Sequence, residues 1–217
     1  MSDLLQSIKQ RATTKVLSSE PWAPSMADAD RDVLIGQLLD LAGSAPYHYE
    51  CSAKYRVTLE SGLPFRYYVA DAPRCREGVE YASNQGVEAG KIGQMLNTAE
   101  LLLVVTWLPD TFGEPILDRE PIPFTGNLRN MEHLAATGAS IQNVLVGATA
   151  LGYPTYWSSG GVLRFETMRS HFKIPQEEII LGGLFIFPKD ALARAENVVP
   201  GKLRDKGKHQ ATWSKRV

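Results

Sequence analysis

The sequence has few of the residues that build crosslinks or charged binding surfaces. Its 217 residues include only two cysteines, Cys51 and Cys75, which lack a metal-site spacing such as C-x-x-C and cannot form a disulfide framework. So few cysteines predict a reduced, cytoplasmic protein. The formal net charge of −1 gives no overall attraction to nucleic acid or to an anionic membrane, so neither is an expected partner.

Long apolar runs and several well-known motifs are missing as well. The longest apolar run, residues 101–105, is far too short to span a bilayer, and the polar N-terminus does not have the pattern of a signal peptide. There is no G-x-G-x-x-G after a strand, no Walker loop and no G-x-S-x-G elbow. No metal site is expected, because paired ligand spacing is absent among the histidines His48, His133, His171 and His209.

What is present is an ordinary globular composition, with 44% hydrophobic and 22% charged residues. We expect one domain over residues 1–217, in which helices and strands alternate. Apolar residues at helical spacing predict helices over residues 2–11, 28–44, 87–98, 130–151 and 164–172. Runs of apolar, aromatic and β-branched residues predict strands over residues 65–70, 99–108 and 178–187.

Three regions have a more specific expectation. Residues 99–108 are so apolar that this strand belongs at the centre of a sheet, covered on both faces. The interval 112–128 is rich in proline and glycine and predicts a mobile loop over the surface. The basic C-terminal extension, 189–217, is expected to be irregular.

Four short segments carry most of the chemistry. They are RATTK at 11–15, SAPYH at 44–48, LPFRYYV at 63–69 and GASIQNVLVGATALGYPTYWSSGG at 138–161. In the first, two cations and a hydroxyl (Arg11, Thr13 and Lys15) suit a phosphate group. In the last, the glycines at 160 and 161 would let the main chain approach a ligand closely.

In this order and spacing the four segments resemble the nitroreductase-like flavoproteins, over nearly the whole chain. The resemblance implies an α+β fold, a three-layer sandwich with a central, mostly antiparallel sheet flanked by helices. It further implies a homodimer that holds FMN at the subunit interface. A monomer would leave the flavin pocket incomplete.

The resemblance also implies roles for individual residues. The FMN phosphate and ribityl chain would be held by the N-terminal motif, Arg11, Ala12, Thr13 and Lys15. The closing segment GKLRDKGK would reach the same phosphate through Lys202 and Arg204. Simpler interpretations remain open: Arg11 and Lys15 could merely solvate a helix end, and the C-terminal cations could form a solvated tail.

Two further segments would line the flavin itself. The turn Pro46, Tyr47 and His48 would lie along the ring and ribityl chain, although a lone loop histidine is more often just solvated. Backbone N–H groups would meet the N5 and O4 edge of the ring at Trp157, Ser158, Ser159 and Gly160. The alternatives are a core anchor for Trp157 and an ordinary turn for the glycines.

The chain departs from the resemblance between its second and third segments. Residues 49–62 form an insert before LPFRYYV, and we expect a short hairpin there, with KYRVTLE as one strand. Because the insert follows the flavin-lining turn, a role in substrate selection is an open hypothesis.

The function implied by the resemblance is a cytoplasmic, FMN-dependent oxidoreductase. NADH or NADPH would give a hydride to flavin N5, and a small electron-poor substrate (a nitroaromatic, quinone or activated alkene) would then accept electrons by a ping-pong mechanism. No side chain need act as an obligatory acid or base, so no catalytic residue is assigned. The alternative is an FMN-binding protein without nicotinamide turnover, such as a flavin store, a sensor or an enzyme of specialised flavin chemistry.

Overall fold

The computed structural model describes residues 3–57, 59–110, 126–201 and 214–215. Most of the predicted loop at 112–128, and both Lys202 and Arg204, lie outside this range. Among the described helices, none is long and apolar enough to cross a membrane.

Helices and strands alternate along most of the chain, as expected. The helices are α1 (Asp3–Gln10), α2 (Asp28–Gly43), α3 (Ala72–Asn84), α4 (Gly90–Leu96), α5 (Leu128–Ala150), α6 (Glu166–His171) and α7 (Ala191–Arg194). The strands are β1 (Thr14–Leu17), β2 (Phe65–Asp71), β3 (Leu101–Trp107), β4 (Thr155–Ser158), β5 (Ile179–Ile186) and β6 (Asn197–Pro200). Two short 3-10 helices cover Ala53–Arg56 and Gly161–Arg164.

The main sheet has the strand order β2-β3-β5-β4, and every neighbouring pair is antiparallel. β3 lies inside the sheet, as predicted, and all seven of its residues are buried. Its ladder with β5 shifts register between Val105 and Thr106. β1 and β6 form a separate antiparallel pair, and a single parallel bridge from Thr13 to Thr155 joins this pair to β4.

Alternate residues of β3 serve two separate cores, one on each face of the sheet. Leu101, Leu103 and Val105 pack with buried residues of α2 and α5, such as Leu38 and Ile141. The opposite core holds Leu102 and Val104, together with residues of α3, α4 and α6. The predicted three-layer α+β arrangement, with a mostly antiparallel central sheet, is therefore confirmed.

Some predicted elements were wrong or incomplete. Helix α3 was not predicted. Pro73 lies in its first turn, where proline is tolerated, and Asp71 caps it, since the Asp71 Oδ1 accepts the Arg74 N–H at 2.9 Å. The predicted helix 87–98 is only Gly90–Leu96. The C-terminal extension is not wholly irregular, since it contains α7 and β6.

Candidate functional site

The N-terminal motif lies beside the beginning of β4. Arg11 follows α1, and its Nη1 donates to the Thr13 hydroxyl at 3.3 Å. Thr13 forms the bridge to Thr155, and its carbonyl accepts the N–H of Gly201 at 2.7 Å. The N-terminal motif and Gly201 therefore meet at Thr13, and Lys202 is the next residue in the sequence.

Lys15 joins the same group of residues through β1. Its ammonium lies 5.0 Å from the centroid of the Tyr156 ring, a cation–π contact that ties β1 to β4. The structure thus brings two of the predicted phosphate residues, Thr13 and Lys15, against the first two residues of β4, and Arg11 joins them through its hydrogen bond to Thr13. Ala12 lies between them and is exposed.

Two glycines in the left-handed region of backbone space follow β4. Gly160 has φ 114° and Gly161 has φ 53°, conformations that other residues rarely adopt. The Gly160 N–H donates to the Ser158 hydroxyl at 3.2 Å. Ser158 and Gly160 are buried whereas Ser159 and Gly161 are exposed, so the loop alternates between the interior and the surface. We call residues 158–161 the glycine loop.

A close approach between β4 and β5 positions the glycine loop. A Cβ added to Gly182 of β5 would lie 2.3 Å from Trp157 Nε1 and 2.5 Å from the Ser158 carbonyl oxygen. Only glycine therefore lets β4 pack this tightly. Trp157 covers Gly182 and remains 38% exposed, so it is not a fully buried core anchor.

The predicted turn Pro46, Tyr47 and His48 is exposed and lies apart from the N-terminal motif. His48 Nε2 is 3.9 Å from a carboxylate oxygen of Glu132, near the start of α5. Thr155, beside Thr13, instead follows the C-terminal end of α5. The 18 residues of helix from 132 to 150 correspond to about 27 Å along its axis. Within the described chain the turn and the motif do not share one pocket.

The insert is a closed loop and not the expected hairpin. The Cys51 N–H donates to the Gly62 carbonyl at 2.9 Å, and the residues predicted to start a strand form the 3-10 helix Ala53–Arg56. The hairpin prediction was wrong, because here the chain folds around the buried side chain of Arg66, with Cys51 and Tyr55 also buried.

The guanidinium of Arg66 is surrounded by carbonyl oxygens. It donates to Leu63 at 2.7 Å, to Ser61 at 2.9 Å and to Tyr55 at 3.2 Å. Its neighbour Phe65 contributes a further carbonyl at 2.9 Å. A buried cation satisfied in this way holds both sides of the insert in place, since each lost contact would leave a charge poorly solvated.

Tyr55 fastens the insert to the end of the main sheet. Its hydroxyl donates to the carbonyl of Pro109, just after β3, at 2.9 Å, and lies 3.3 Å from that of Glu177, just before β5. Burial, reinforced by nearby acidic residues, raises the pKa of the Tyr55 phenol, so the group stays a donor. The insert is therefore anchored at both β2 and the β3–β5 edge.

Sequence reasoning missed several residues of this region. Gly182 could have been found, because a glycine pair at 182–183 inside an apolar strand is a signal of close backbone approach. Tyr156 was noted only as part of its segment, and nothing in the sequence pointed to Arg164, which donates from Nε to the Ser159 carbonyl at 2.8 Å. In the described ranges no group of His, Cys, Asp and Glu could hold a metal ion.

Comparisons with solved structures identify the fold. The structure is similar to a nitroreductase with bound FMN from Bacteroides fragilis, with a TM-score of 0.55 and 14% identity over 96% of this chain and 98% of that one. A nitroreductase-like family protein from Bacillus cereus gives 0.53 and 18% identity over 96% of both chains. A nitroreductase family protein from Clostridium novyi NT gives 0.52 and 16% identity over 88% of both.

The chain has the nitroreductase fold. No protein-family model and no curated protein matches its sequence. The expected fold is therefore confirmed by structure, at a level of sequence identity that leaves the activity of this chain to be argued from its own residues.

Substituting Gly182 with alanine should separate β4 from β5. We expect Gly182→Ala to lower the free energy of unfolding by about 1–3 kcal/mol, because the new methyl group overlaps Trp157 and the Ser158 carbonyl. Urea unfolding measures this. Gly138→Ala in α5 is the matched control: its Cβ would meet nothing within 4 Å, and a helical Gly-to-Ala change should raise stability by up to about 1 kcal/mol. Equal stability of Gly182→Ala and wild type would contradict the close approach.

Proposed function

We propose that this protein binds FMN and acts as an oxidoreductase, passing electrons from NADH or NADPH to a small electron-poor substrate such as a nitroaromatic, a quinone or an activated alkene. One observation carries the proposal. On a nitroreductase fold, a group of cations and a hydroxyl lies at the beginning of β4, and a glycine loop with two positive-φ residues lies at its end.

The first half of this arrangement fits the phosphate of FMN. Arg11, Thr13 and Lys15 supply two positive charges and a hydroxyl, and these are the groups that bind a phosphate dianion. The Arg11–Thr13 hydrogen bond already holds two of them together. Lys202 and Arg204 follow directly after Gly201, whose N–H bonds Thr13, and we assign them to the same phosphate.

The second half fits the flavin ring. From Thr155 to Gly160 the chain can extend up to about 17 Å. The proposed phosphate-binding residues and the glycine loop would therefore bind opposite ends of one elongated molecule. The positive-φ conformations of Gly160 and Gly161 set the course of the main chain after β4, and we assign its backbone edge to the planar ring. Trp157, Ser158, Ser159 and Gly160 would supply this backbone edge.

A second copy of the chain would complete the pocket. Within one chain, the Pro46–His48 turn lies about one helix length from the residues that would bind the FMN phosphate. We therefore propose a homodimer in which this turn, with Tyr47 and His48, lines the flavin of the partner. The exposed position of all three residues agrees with a contact made only in the dimer.

An apolar groove of ≈ 820 Å³ supports the dimer. α1, α2 and α5 form it, and it is lined mainly by Leu4, Ile8, Leu41, Val146 and Leu151. Leu4 is 62% exposed and Ile8 45%, although the sequence places both on the apolar face of an amphipathic helix. Apolar side chains exposed side by side in this way are a common feature of interfaces between proteins.

When bound, FMN supplies reversible two-electron chemistry between a reduced nicotinamide and an electron-poor acceptor. The roles left to the chain are to hold the phosphate, to orient the ring with backbone donors and to leave one face open. No described side chain is assigned the removal or delivery of a proton. Both cysteines are buried and unpaired, which supports the reduced, cytoplasmic location that we propose.

The purified protein should be yellow or become yellow with added FMN, because the site provides for both ends of the flavin. Anaerobic NADH or NADPH should bleach it, and a quinone or nitroaromatic should restore the colour, as followed by absorbance. A colourless protein that does not bind FMN would contradict the proposal. FMN binding without bleaching would favour the alternative, a flavin store or sensor.

Removing the cations of the N-terminal motif should weaken FMN binding through its phosphate. We expect Arg11→Ala and Lys15→Ala each to raise the Kd for FMN about tenfold or more, since a charged hydrogen bond contributes about 1.5–3 kcal/mol. Riboflavin, which lacks the phosphate, should bind the variants and wild type alike. The matched control is Lys9→Ala, an exposed cation of α1. Equal losses for FMN and riboflavin would exclude the phosphate assignment.

A charge placed in the groove should dissociate the dimer. Ile8→Glu puts a carboxylate on the apolar surface. Sedimentation velocity should then detect a monomer, and this monomer should bind FMN more weakly. Val33→Glu is the control, since Val33 is 60% exposed on α2 but does not line the groove. A wild-type monomer, or an Ile8→Glu variant that stays dimeric, would be evidence against this interface.

A further inference from the structure

The side chain of Arg164 lies against the glycine loop. Arg164 ends the 3-10 helix that begins at Gly161, and its Nε donates to the Ser159 carbonyl at 2.8 Å. A Cβ on Gly160 would lie 3.0 Å from this Nε and 3.2 Å from Arg164 Cγ. The arginine stem therefore occupies the space beside Gly160 that any other residue would fill.

This contact fixes the direction of one peptide group. A trans peptide is planar, and its C=O and N–H point in opposite directions. Because Arg164 holds the Ser159 carbonyl, the Gly160 N–H must point away, and it is found on the Ser158 hydroxyl at 3.2 Å. Glycine tolerates several orientations of the peptide beside it, so the orientation needs such a hold.

Apolar side chains restrict the other sides of the loop. The Gly160 Cβ position would lie 3.5 Å from Ile180 Cγ2, and that of Gly161 3.3 Å from Ile92 Cγ1. Isoleucine packing limits translation of the backbone but offers no hydrogen bond to set the peptide's direction. That direction is therefore set by the two polar contacts, from Arg164 and to Ser158.

We infer that Arg164 is a positioning residue for the proposed flavin site: it holds the Ser159–Gly160 peptide in one orientation and brings a positive charge to the backbone edge that faces the ring. The inference rests on the proposed function. Reduced FMN is more negative than oxidised FMN, so a nearby cation stabilises the reduced form more. Arg164 thereby raises the midpoint potential of the bound flavin.

The test is the two-electron midpoint potential of bound FMN in four proteins: wild type, Arg164→Ala, Arg164→Lys and Arg194→Ala. We expect Arg164→Ala to bind oxidised FMN within a few-fold of wild type. Its preference for reduced over oxidised FMN should fall about tenfold, by the loss of a charged contact. For a two-electron couple this lowers the potential by about 30 mV. Arg164→Lys keeps the charge and should recover part of the shift.

Arg194 is the matched control, because its guanidinium stacks on Trp22 at 4.1 Å and not on the loop. Its loss should leave the potential unchanged. An unchanged potential in Arg164→Ala, or an equal shift in Arg194→Ala, overturns the inference while leaving FMN binding intact. A large loss of oxidised FMN binding in Arg164→Ala also overturns it, by making Arg164 a binding contact. A wild type that binds no FMN refutes the proposed function together with the inference.

Discussion

The complete burial of β3 is the constraint on which the rest of the molecule depends. Every residue from Leu101 to Trp107 is buried, and both edges of the strand are paired, with β2 and with β5. Since no side chain of β3 reaches water, helices must cover both faces of the sheet. The position of β5, and through it of β4, follows from this arrangement.

β4 is short, and its placement depends on contacts from outside its own four residues. Gly182 gives it room against β5, the Thr13–Thr155 bridge fixes its beginning, and the Lys15–Tyr156 contact ties it to β1. The proposed phosphate-binding residues and the glycine loop are thus held in place by the same short strand. A change in strand packing would alter both ends of the site together.

The elements predicted best from the sequence are those with an apolar pattern that extends over many consecutive residues. β3 and β5 are continuous apolar runs, α2 and α5 have apolar residues at helical spacing, and the structure has all four within a few residues of the predicted bounds. β1, β4 and β6 have four residues each, and their pairing joins distant positions such as Thr14 and Pro200. No local pattern encodes such a pairing, so these strands were not predicted.

Parts of the candidate site were hidden for the same reason. Arg11, Thr13 and Lys15 could be selected by their chemistry, and the structure does bring them together at β4. The roles of Arg66 and Arg164 depend on carbonyl groups that only the folded backbone presents. The separation of the Pro46–His48 turn from the motif likewise follows from the antiparallel packing of α2 and α5, which no motif records.

In the closed insert, the residues that anchor the loop differ from those whose side chains are exposed to solvent. Its anchors are the Cys51–Gly62 hydrogen bond, the buried Arg66 and the Tyr55 hydroxyl. Val57, 85% exposed, and Leu59, 50% exposed, have side chains that take no part in this anchoring. These two exposed positions can therefore vary, in evolution or by design, while the anchors hold the insert against the sheet.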